Sequence, residues 1–140
     1  MTKVDLPADL KRLLRTSRKA ARSSYSPYSA FAVGAAVLGA DGRTYSACNV
    51  ENASYGLSIC AERNAIFRAV AAGNRRIEAI AVTCLKGDAK QPDTLMPCGA
   101  CRQVMVEFMD RDAPVLVDGV RTFTLSQLIP RAFRIRSRAK

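Results

Sequence analysis

Histidine is absent from this chain of 140 residues, and no long apolar run occurs in it. No uninterrupted apolar stretch approaches the ~20 residues that a membrane span needs. The amino terminus also lacks the apolar segment of a signal peptide. These absences predict a cytoplasmic protein without a membrane partner. In that compartment the five cysteines are expected to be metal ligands or core thiols rather than disulfides.

Acidic residues are missing from the last ten positions, 131–140, which hold five Lys or Arg. Residues 1–22 hold seven Lys or Arg against two Asp, so each end contributes +5 to the net charge of +10. Residues 23–130 hold ten residues of each sign and are neutral. The neutral centre predicts no specific nucleic-acid partner. Basic ends are typical of solvated faces or tails, which bind polyanions weakly in low salt.

Hydrophobic periodicity predicts a single α/β domain over residues 1–140, with a basic carboxyl-terminal tail at 131–140. Helices are predicted over 7–23, over 60–72 and from about 98 to 108. Strands are predicted over 31–38, 43–50, 77–85 and 115–117, followed by a strand edge and a short helix within 123–133. Asp41-Gly42 is a hairpin turn signal between the first two strands. Strands that alternate with buried helices indicate a layered α/β domain with some parallel pairing.

Three cysteines fall in two clusters: Cys60, and the pair Cys98 and Cys101 directly after Pro97. A structural zinc site normally has four protein ligands, whereas a catalytic site has three and a water molecule. Because the chain has no histidine, the three thiols predict an open site, with sulfurs at about 2.3 Å from zinc. Glu62 follows the first cysteine by two residues, where its carboxylate can take a proton from that water.

Both cysteine clusters lie at predicted helix starts, where unpaired N–H groups and the helix dipole favour anions. Three thiolates on Zn²⁺ leave one net negative charge, so further donors to sulfur are expected. Arg63 and Arg102 lie close to ligand cysteines in sequence, and we favour Arg63; the alternative for each is an ordinary helix-surface arginine. Cys48 and Cys84 lie in predicted strands without partners at ligand spacing, and they are predicted to be core thiols.

Five segments in fixed order span nearly the whole chain. They are Tyr-Ser-Pro-Tyr-Ser-Ala-Phe-Ala-Val-Gly-Ala-Ala (25–36), Cys-Asn-Val-Glu-Asn-Ala-Ser-Tyr-Gly (48–56), Cys-Ala-Glu-Arg (60–63), Pro-Cys-Gly-Ala-Cys-Arg-Gln-Val (97–104) and Leu-Ile-Pro-Arg-Ala-Phe (128–133). Cys-Ala-Glu with Pro-Cys-x-x-Cys is the pattern of zinc deaminases in general. With Phe-x-Val-Gly-Ala-Ala and Asn-x-Glu-Asn added, the chain resembles the small homotetrameric cytidine deaminases of pyrimidine salvage.

The resemblance implies a three-layer α/β/α fold around a five-stranded mixed sheet, and Zn²⁺ as the cofactor. The implied reaction is the hydrolytic deamination of cytidine and 2′-deoxycytidine to uridine and 2′-deoxyuridine, with release of ammonia. Cys60, Cys98 and Cys101 would bind the metal, Glu62 would move protons, and Arg63 would draw charge from the sulfurs.

The resemblance also implies substrate contacts. They are Asn49 and Glu51 at the ribose hydroxyls, Phe31 against the pyrimidine, the Ala61 backbone at the base, and Phe133 reaching into a neighbouring subunit's site. Residue types alone would favour turn chemistry for Asn49 and Glu51, and periodicity alone leaves core packing open for Phe31 and Phe133.

The residues alone leave three other functions open. The basic ends could bring a base in RNA or single-stranded DNA to the zinc, although the Glu51 carboxylate would repel phosphate. A purely structural zinc in a small binding module would need a fourth protein ligand, and no well-placed candidate exists in the sequence. A deaminase that acts on a nucleoside analogue is the hardest to separate from the nucleoside enzyme.

Overall fold

The structure is a computed structural model that describes residues 8–138. The predicted helix start at residue 7 and the last two residues of the basic tail lie outside this range. The helices are α1 (Ala8–Ala21), α2 (Ala61–Ala71), α3 (Gly99–Phe108) and α4 (Leu125–Leu128). The strands are β1 (Val33–Gly39), β2 (Thr44–Cys48), β3 (Ile77–Cys84), β4 (Pro114–Val117) and β5 (Arg121–Thr124). The predicted helices and strands are therefore confirmed, with shifts of a few residues at their ends.

The five strands form one sheet in the order β2-β1-β3-β4-β5. β1 and β2 form the predicted hairpin, and Gly42 provides its positive φ of 84°. β3 and β4 are parallel, as the register Ile80 to Val115 shows, because α3 supplies the crossover that a parallel pair needs. The other neighbouring strands are antiparallel, so the expected five-stranded mixed sheet is confirmed.

Helices cover both faces of this sheet, which confirms the three-layer α/β/α arrangement. Alternating side chains of β1 and β3 point to opposite faces. Small residues such as Ala36 and Ala81 face α1, and larger ones such as Val37 and Ile80 join the core with α2, α3 and α4. Gly34 permits the closest approach of α1, since a Cβ there would lie 2.1 Å from the Ser17 carbonyl oxygen.

A polar network fixes α1 to the carboxyl ends of the two parallel strands. The buried Ser17 hydroxyl lies 2.7 Å from the hydroxyl of Thr83, which donates to Asp118 at 2.9 Å. Arg18 donates two further hydrogen bonds to the same carboxylate, at 2.7 and 2.8 Å. These contacts fix the position of α1 on the face of the sheet opposite α2 and α3.

Within residues 8–138, no helix is both long and apolar enough to cross a membrane.

Candidate active site

The amino termini of α2 and α3 bring the three predicted zinc ligands together. Cys60 caps α2, Cys98 caps α3, and Cys101 lies in the first turn of α3. The two cap carbonyls accept the first helical bonds, from Asn64 N at 3.1 Å and Arg102 N at 3.0 Å. Neither cap side chain makes a capping hydrogen bond, and the two thiols lie next to each other between the helix starts.

The spacing of the sulfurs fits one tetrahedral zinc ion. Tetrahedral ligands at about 2.3 Å from zinc lie about 3.8 Å from one another. The Sγ atoms of Cys60 and Cys98 are 3.9 Å apart, those of Cys98 and Cys101 are 3.5 Å apart, and all three lie within 4.8 Å of one another. In the part of the chain that the structure describes, no His, Asp, Glu or further Cys joins this group. Three thiol donors on converging helix termini therefore match a zinc ion that keeps one position for a non-protein ligand.

The groups around Cys60 favour the thiolate form that zinc requires. Contact with the Cys101 thiol lowers the pKa of Cys60 to about 5, and the Arg63 guanidinium contributes to the same shift. Arg63 Nη2 donates to the Cys60 sulfur at 3.5 Å. Arg102 instead donates to the carbonyl oxygens of Pro97 and Leu128, so it faces away from the sulfurs. Of the two arginines, only Arg63 shows a contact with sulfur.

Glu62 is buried beside the sulfur cluster, with 4% of its surface exposed. Burial raises the pKa of its carboxyl to about 7, because the charged form loses hydration, and the negative charge on Cys60 adds to the rise. A carboxyl group with a pKa near neutrality can both accept and release a proton at physiological pH.

A cavity of about 440 Å³ opens above the sulfur cluster, which is within the size range of small-molecule sites. Its walls include the sequence-predicted residues Phe31, Asn49, Glu51, Ala61 and Glu62, together with Cys60 and Cys98. Phe133 does not line this cavity. Its side chain is 70% exposed, and its carbonyl oxygen accepts a hydrogen bond from Gln103 at 2.9 Å.

Asn49 and Glu51 are already bonded to the protein at the cavity wall. Asn49 Nδ2 donates to the Phe31 carbonyl oxygen at 2.9 Å, and Asn49 Oδ1 accepts from the Val33 N–H at 3.0 Å. Glu51 Oε1 accepts from the backbone N–H groups of Tyr28 and Ser29, at 3.0 and 3.1 Å. The hydrogen bond from the Ser29 hydroxyl to Glu51 Oε2 lowers the pKa of this carboxyl, so Glu51 is ionised.

Sequence reasoning missed several cavity residues. These are Ser29, Val33, Val82, Cys84, Leu95 and Met96. Val33 and Cys84 are paired at the neighbouring ends of β1 and β3, so strand pairing places both at the cavity. Cys84 packs against the core as expected, and burial raises the pKa of its thiol to about 11. Cys48, the other predicted core thiol, is only partly buried and contacts the Ser23 carbonyl oxygen at 3.3 Å.

The fold and the site together define a zinc-dependent hydrolytic deaminase: three sulfurs at two helix starts, with a buried carboxyl two residues after the first. Residues 7–117 match the family described as the cytidine and deoxycytidylate deaminase zinc-binding region. The curated cytidine deaminase of Sporosarcina psychrophila is 43% identical over 129 residues, which cover 89% of this chain and 91% of that protein. The cytidine deaminase of Halalkalibacterium halodurans is 45% identical, with coverage of 89% and 94%. The crystal structure of cytidine deaminase from Mycobacterium tuberculosis superimposes with a TM-score of 0.78 at 38% identity, covering 94% of this chain and 100% of that one. This chain therefore belongs to the cytidine deaminase family of zinc-dependent hydrolases.

Proposed function

We propose that the protein hydrolyses the free nucleosides cytidine and 2′-deoxycytidine to uridine and 2′-deoxyuridine, and releases ammonia. The observation that carries the proposal is that one cavity contains both halves of the site. The three-sulfur cluster and buried Glu62 border it, and the polar side chains of Asn49 and Glu51 line the same cavity. The first two features supply deamination chemistry, and the polar pair offers contacts to a sugar.

Cys60, Cys98 and Cys101 would hold zinc, which when bound would lower the pKa of a water molecule and so make it nucleophilic at neutral pH. Glu62 accepts the proton that this water loses. The water oxygen adds to C4 of the pyrimidine while Glu62 delivers the proton to N3. Glu62 then takes the remaining hydroxyl proton and transfers it to the exocyclic nitrogen. The C4–N bond breaks, ammonia leaves, and C4 becomes the carbonyl of uridine.

The surroundings of Glu62 suit this repeated transfer. A pKa near the working pH balances proton acceptance against proton donation, so one carboxyl can act first as the base and then as the acid. Burial of the carboxyl also limits proton exchange with bulk water. Arg63 draws electron density from the Cys60 sulfur and partly offsets the negative charge of the thiolates.

The unused hydrogen-bonding positions of Asn49 and Glu51 favour a contact to one sugar hydroxyl group. Asn49 Nδ2 carries two N–H groups and uses one on Phe31, so one donor is free. Glu51 Oε1 already accepts two bonds, and Oε2 accepts one, so Oε2 has one acceptor position free. A single hydroxyl that donates to Glu51 and accepts from Asn49 satisfies both. This supports turnover of both ribo- and deoxyribonucleosides, and the ionised Glu51 disfavours a phosphate at the same position.

The proposal extends to the remaining contacts and to the assembly. Phe31 lies against the base, and the Ala61 backbone contacts it. Phe133, exposed and outside its own cavity, reaches the site of a neighbouring subunit in a homotetramer. Exposed apolar side chains support such an interface: Tyr25, Tyr28, Val50, Tyr55 and Leu57. We further place the protein in the cytoplasm, as a single domain that serves pyrimidine salvage; the five unpaired cysteines support a reducing compartment.

An ultraviolet deamination assay tests this function. It compares cytidine, 2′-deoxycytidine, cytidine monophosphate and a deoxycytidine-containing oligonucleotide at equal cytosine concentration. We expect turnover of both nucleosides and at least about 100-fold lower kcat/KM for the other two substrates, since Glu51 repels phosphate and the cavity holds one nucleoside. Equal turnover of the oligonucleotide would replace the proposal with a nucleic-acid-editing function.

A further inference from the structure

The Ser29 hydroxyl connects two walls of the cavity. It donates a hydrogen bond to Glu51 Oε2 and accepts one from the backbone N–H of Phe31 at 3.0 Å. The backbone N–H of Ser29 donates to Glu51 Oε1 at 3.1 Å, so Ser29 donates hydrogen bonds to both oxygens of the Glu51 carboxylate. A single serine therefore joins the proposed sugar contact to the proposed base contact.

The turn that carries Ser29 has an unfavourable backbone conformation. Ala30 has a φ of 58°, and it is the only non-glycine residue with positive φ among residues 8–138. Its N–H donates to the Ser26 carbonyl oxygen at 2.9 Å, which closes a tight turn just before Phe31. The left-handed conformation costs an alanine about 1–2 kcal/mol, so contacts around it must hold it in place. The hydrogen bonds from Tyr28 and Ser29 to Glu51 supply those contacts.

The carboxylate in turn depends on Ser29 for its orientation. Of the groups that lower the pKa of Glu51, the Ser29 hydroxyl has the largest effect. No arginine or lysine pairs with Glu51 among the described residues. Without the hydroxyl, Oε2 would lose its one protein donor, and the carboxylate could rotate about the two backbone N–H groups that hold Oε1.

We propose that Ser29 is a positioning residue for substrate binding: its hydroxyl aims one lone pair of Glu51 at a sugar hydroxyl and fixes Phe31 at the base. This inference rests on the proposed nucleoside deamination, because it assigns the geometry of that same site. Ser29 acts through Glu51 and Phe31, so its removal weakens substrate binding and leaves the proton transfers of Glu62 intact.

Steady-state kinetics of Ser29→Ala with two substrates test the proposal. The first substrate is cytidine, and the second is 2′,3′-dideoxycytidine, which lacks the secondary hydroxyls that Glu51 could bind. For cytidine we expect KM to rise about five- to tenfold with kcat within twofold of wild type, as for loss of uniform binding. For dideoxycytidine the loss in kcat/KM falls to about twofold or less, because the sugar contact is already missing.

Two further variants separate positioning from folding. Ser29→Thr keeps the hydroxyl on an exposed residue and is expected to restore the cytidine KM to within about twofold of wild type. Ser54→Ala is the matched control in a nearby exposed loop, where the backbone N–H of Ser54 bonds Asn52 and its side chain makes no helix-capping bond. Thermal unfolding and zinc content are measured for each variant. If Ser29→Ala does not fold, Ser29→Cys, which has a weak donor, must show the same substrate-dependent loss.

The outcomes separate the deaminase function of the protein from the positioning role of Ser29. Wild-type protein that leaves cytidine unchanged would overturn the proposed function. Wild-type turnover with an equal Ser29→Ala loss on both substrates, or with no loss on cytidine, would overturn the positioning role alone. A fall in kcat at constant KM would also contradict it, since that pattern belongs to a group that acts in the chemical step.

Discussion

Replacement of Glu62 by glutamine tests the chemical role of the buried carboxyl. Glutamine keeps the volume of the side chain and remains neutral, which burial at 4% exposure favours, so the fold and the three sulfur ligands should be unaffected. Glutamine cannot accept or release a proton. General acid–base catalysis contributes about 10²–10⁴-fold to a rate, and in the proposed mechanism one carboxyl performs successive transfers. We therefore expect kcat to fall at least about 10³-fold, which corresponds to about 4 kcal/mol of activation free energy.

The assay is ultraviolet deamination of cytidine at saturating substrate, with zinc measured on the same preparation. Glu107→Gln is the matched control, because Glu107 lies exposed on α3 and lines no part of the cavity. We expect about one zinc per chain in all three proteins, and loss of activity in Glu62→Gln only. If Glu62→Gln retains kcat within tenfold of wild type with full zinc content, Glu62 does not perform the proton transfers.

Two further predictions concern the layer opposite the active site. Burial alone would raise the pKa of Asp118, but its hydrogen-bond partners, Arg18 foremost, together lower this pKa below the unfolded value of about 3.9. The pair of Arg18 and Asp118 therefore stabilises the fold above that value, and its contribution is lost as pH falls through the folded-state pKa. Asp118→Asn should thus reduce the free energy of unfolding by about 1 kcal/mol at pH 7. In urea titrations the difference in this free energy between wild type and variant should disappear below pH 4, and a difference that does not depend on pH would contradict the assignment. Gly34→Ala would place a Cβ 2.1 Å from a carbonyl oxygen of α1, so we expect a loss of about 1–3 kcal/mol or more. In Gly56→Ala the new Cβ meets nothing within 4 Å, and equal melting temperatures for the two variants would show that α1 does not pack as described.

Much of the fold could be predicted from the sequence because its local signals agree with its tertiary contacts. The Asp41-Gly42 turn and the alternation around Ala36 predict a hairpin, and the structure contains it. The helix starts at Cys60 and Cys98 were predicted within one residue, because each begins an apolar periodic segment. Strand ends were less predictable: the residues before β1 have strand-like composition, yet the turn at Ala30 delays pairing until Val33.

The sulfur cluster was predictable from spacing, whereas the cavity walls were not. Cys60, Cys98 and Cys101 lie at helix starts that the local sequence predicts, so three thiols in a chain without histidine already indicate a candidate metal site. Ser29 and Cys84 carry no such local signal. They reach the cavity because a strained turn and a strand pairing bring distant segments together, which residue types alone do not reveal.

The two faces of the sheet have different roles: one carries the candidate active site, and the other binds α1. On one face the α2 and α3 termini concentrate positive dipole ends, thiols and a buried carboxyl around one cavity. On the other, small side chains and the Asp118 network bind α1 closely without contributing to the cavity lining. Changes in α1 should therefore alter stability more than the kinetic constants, whereas changes at Glu62 should mainly alter kcat and changes at Ser29 should mainly alter KM.

The proposed mechanism depends on a zinc ion held by three sulfurs, with one position left for a non-protein ligand. X-ray absorption at the zinc edge of the purified protein measures this coordination directly. We predict three sulfur neighbours at about 2.3 Å and one oxygen neighbour at about 2.0–2.2 Å. A fit with four sulfur neighbours would contradict the account, because a fully sulfur-ligated zinc leaves no position from which water can be activated.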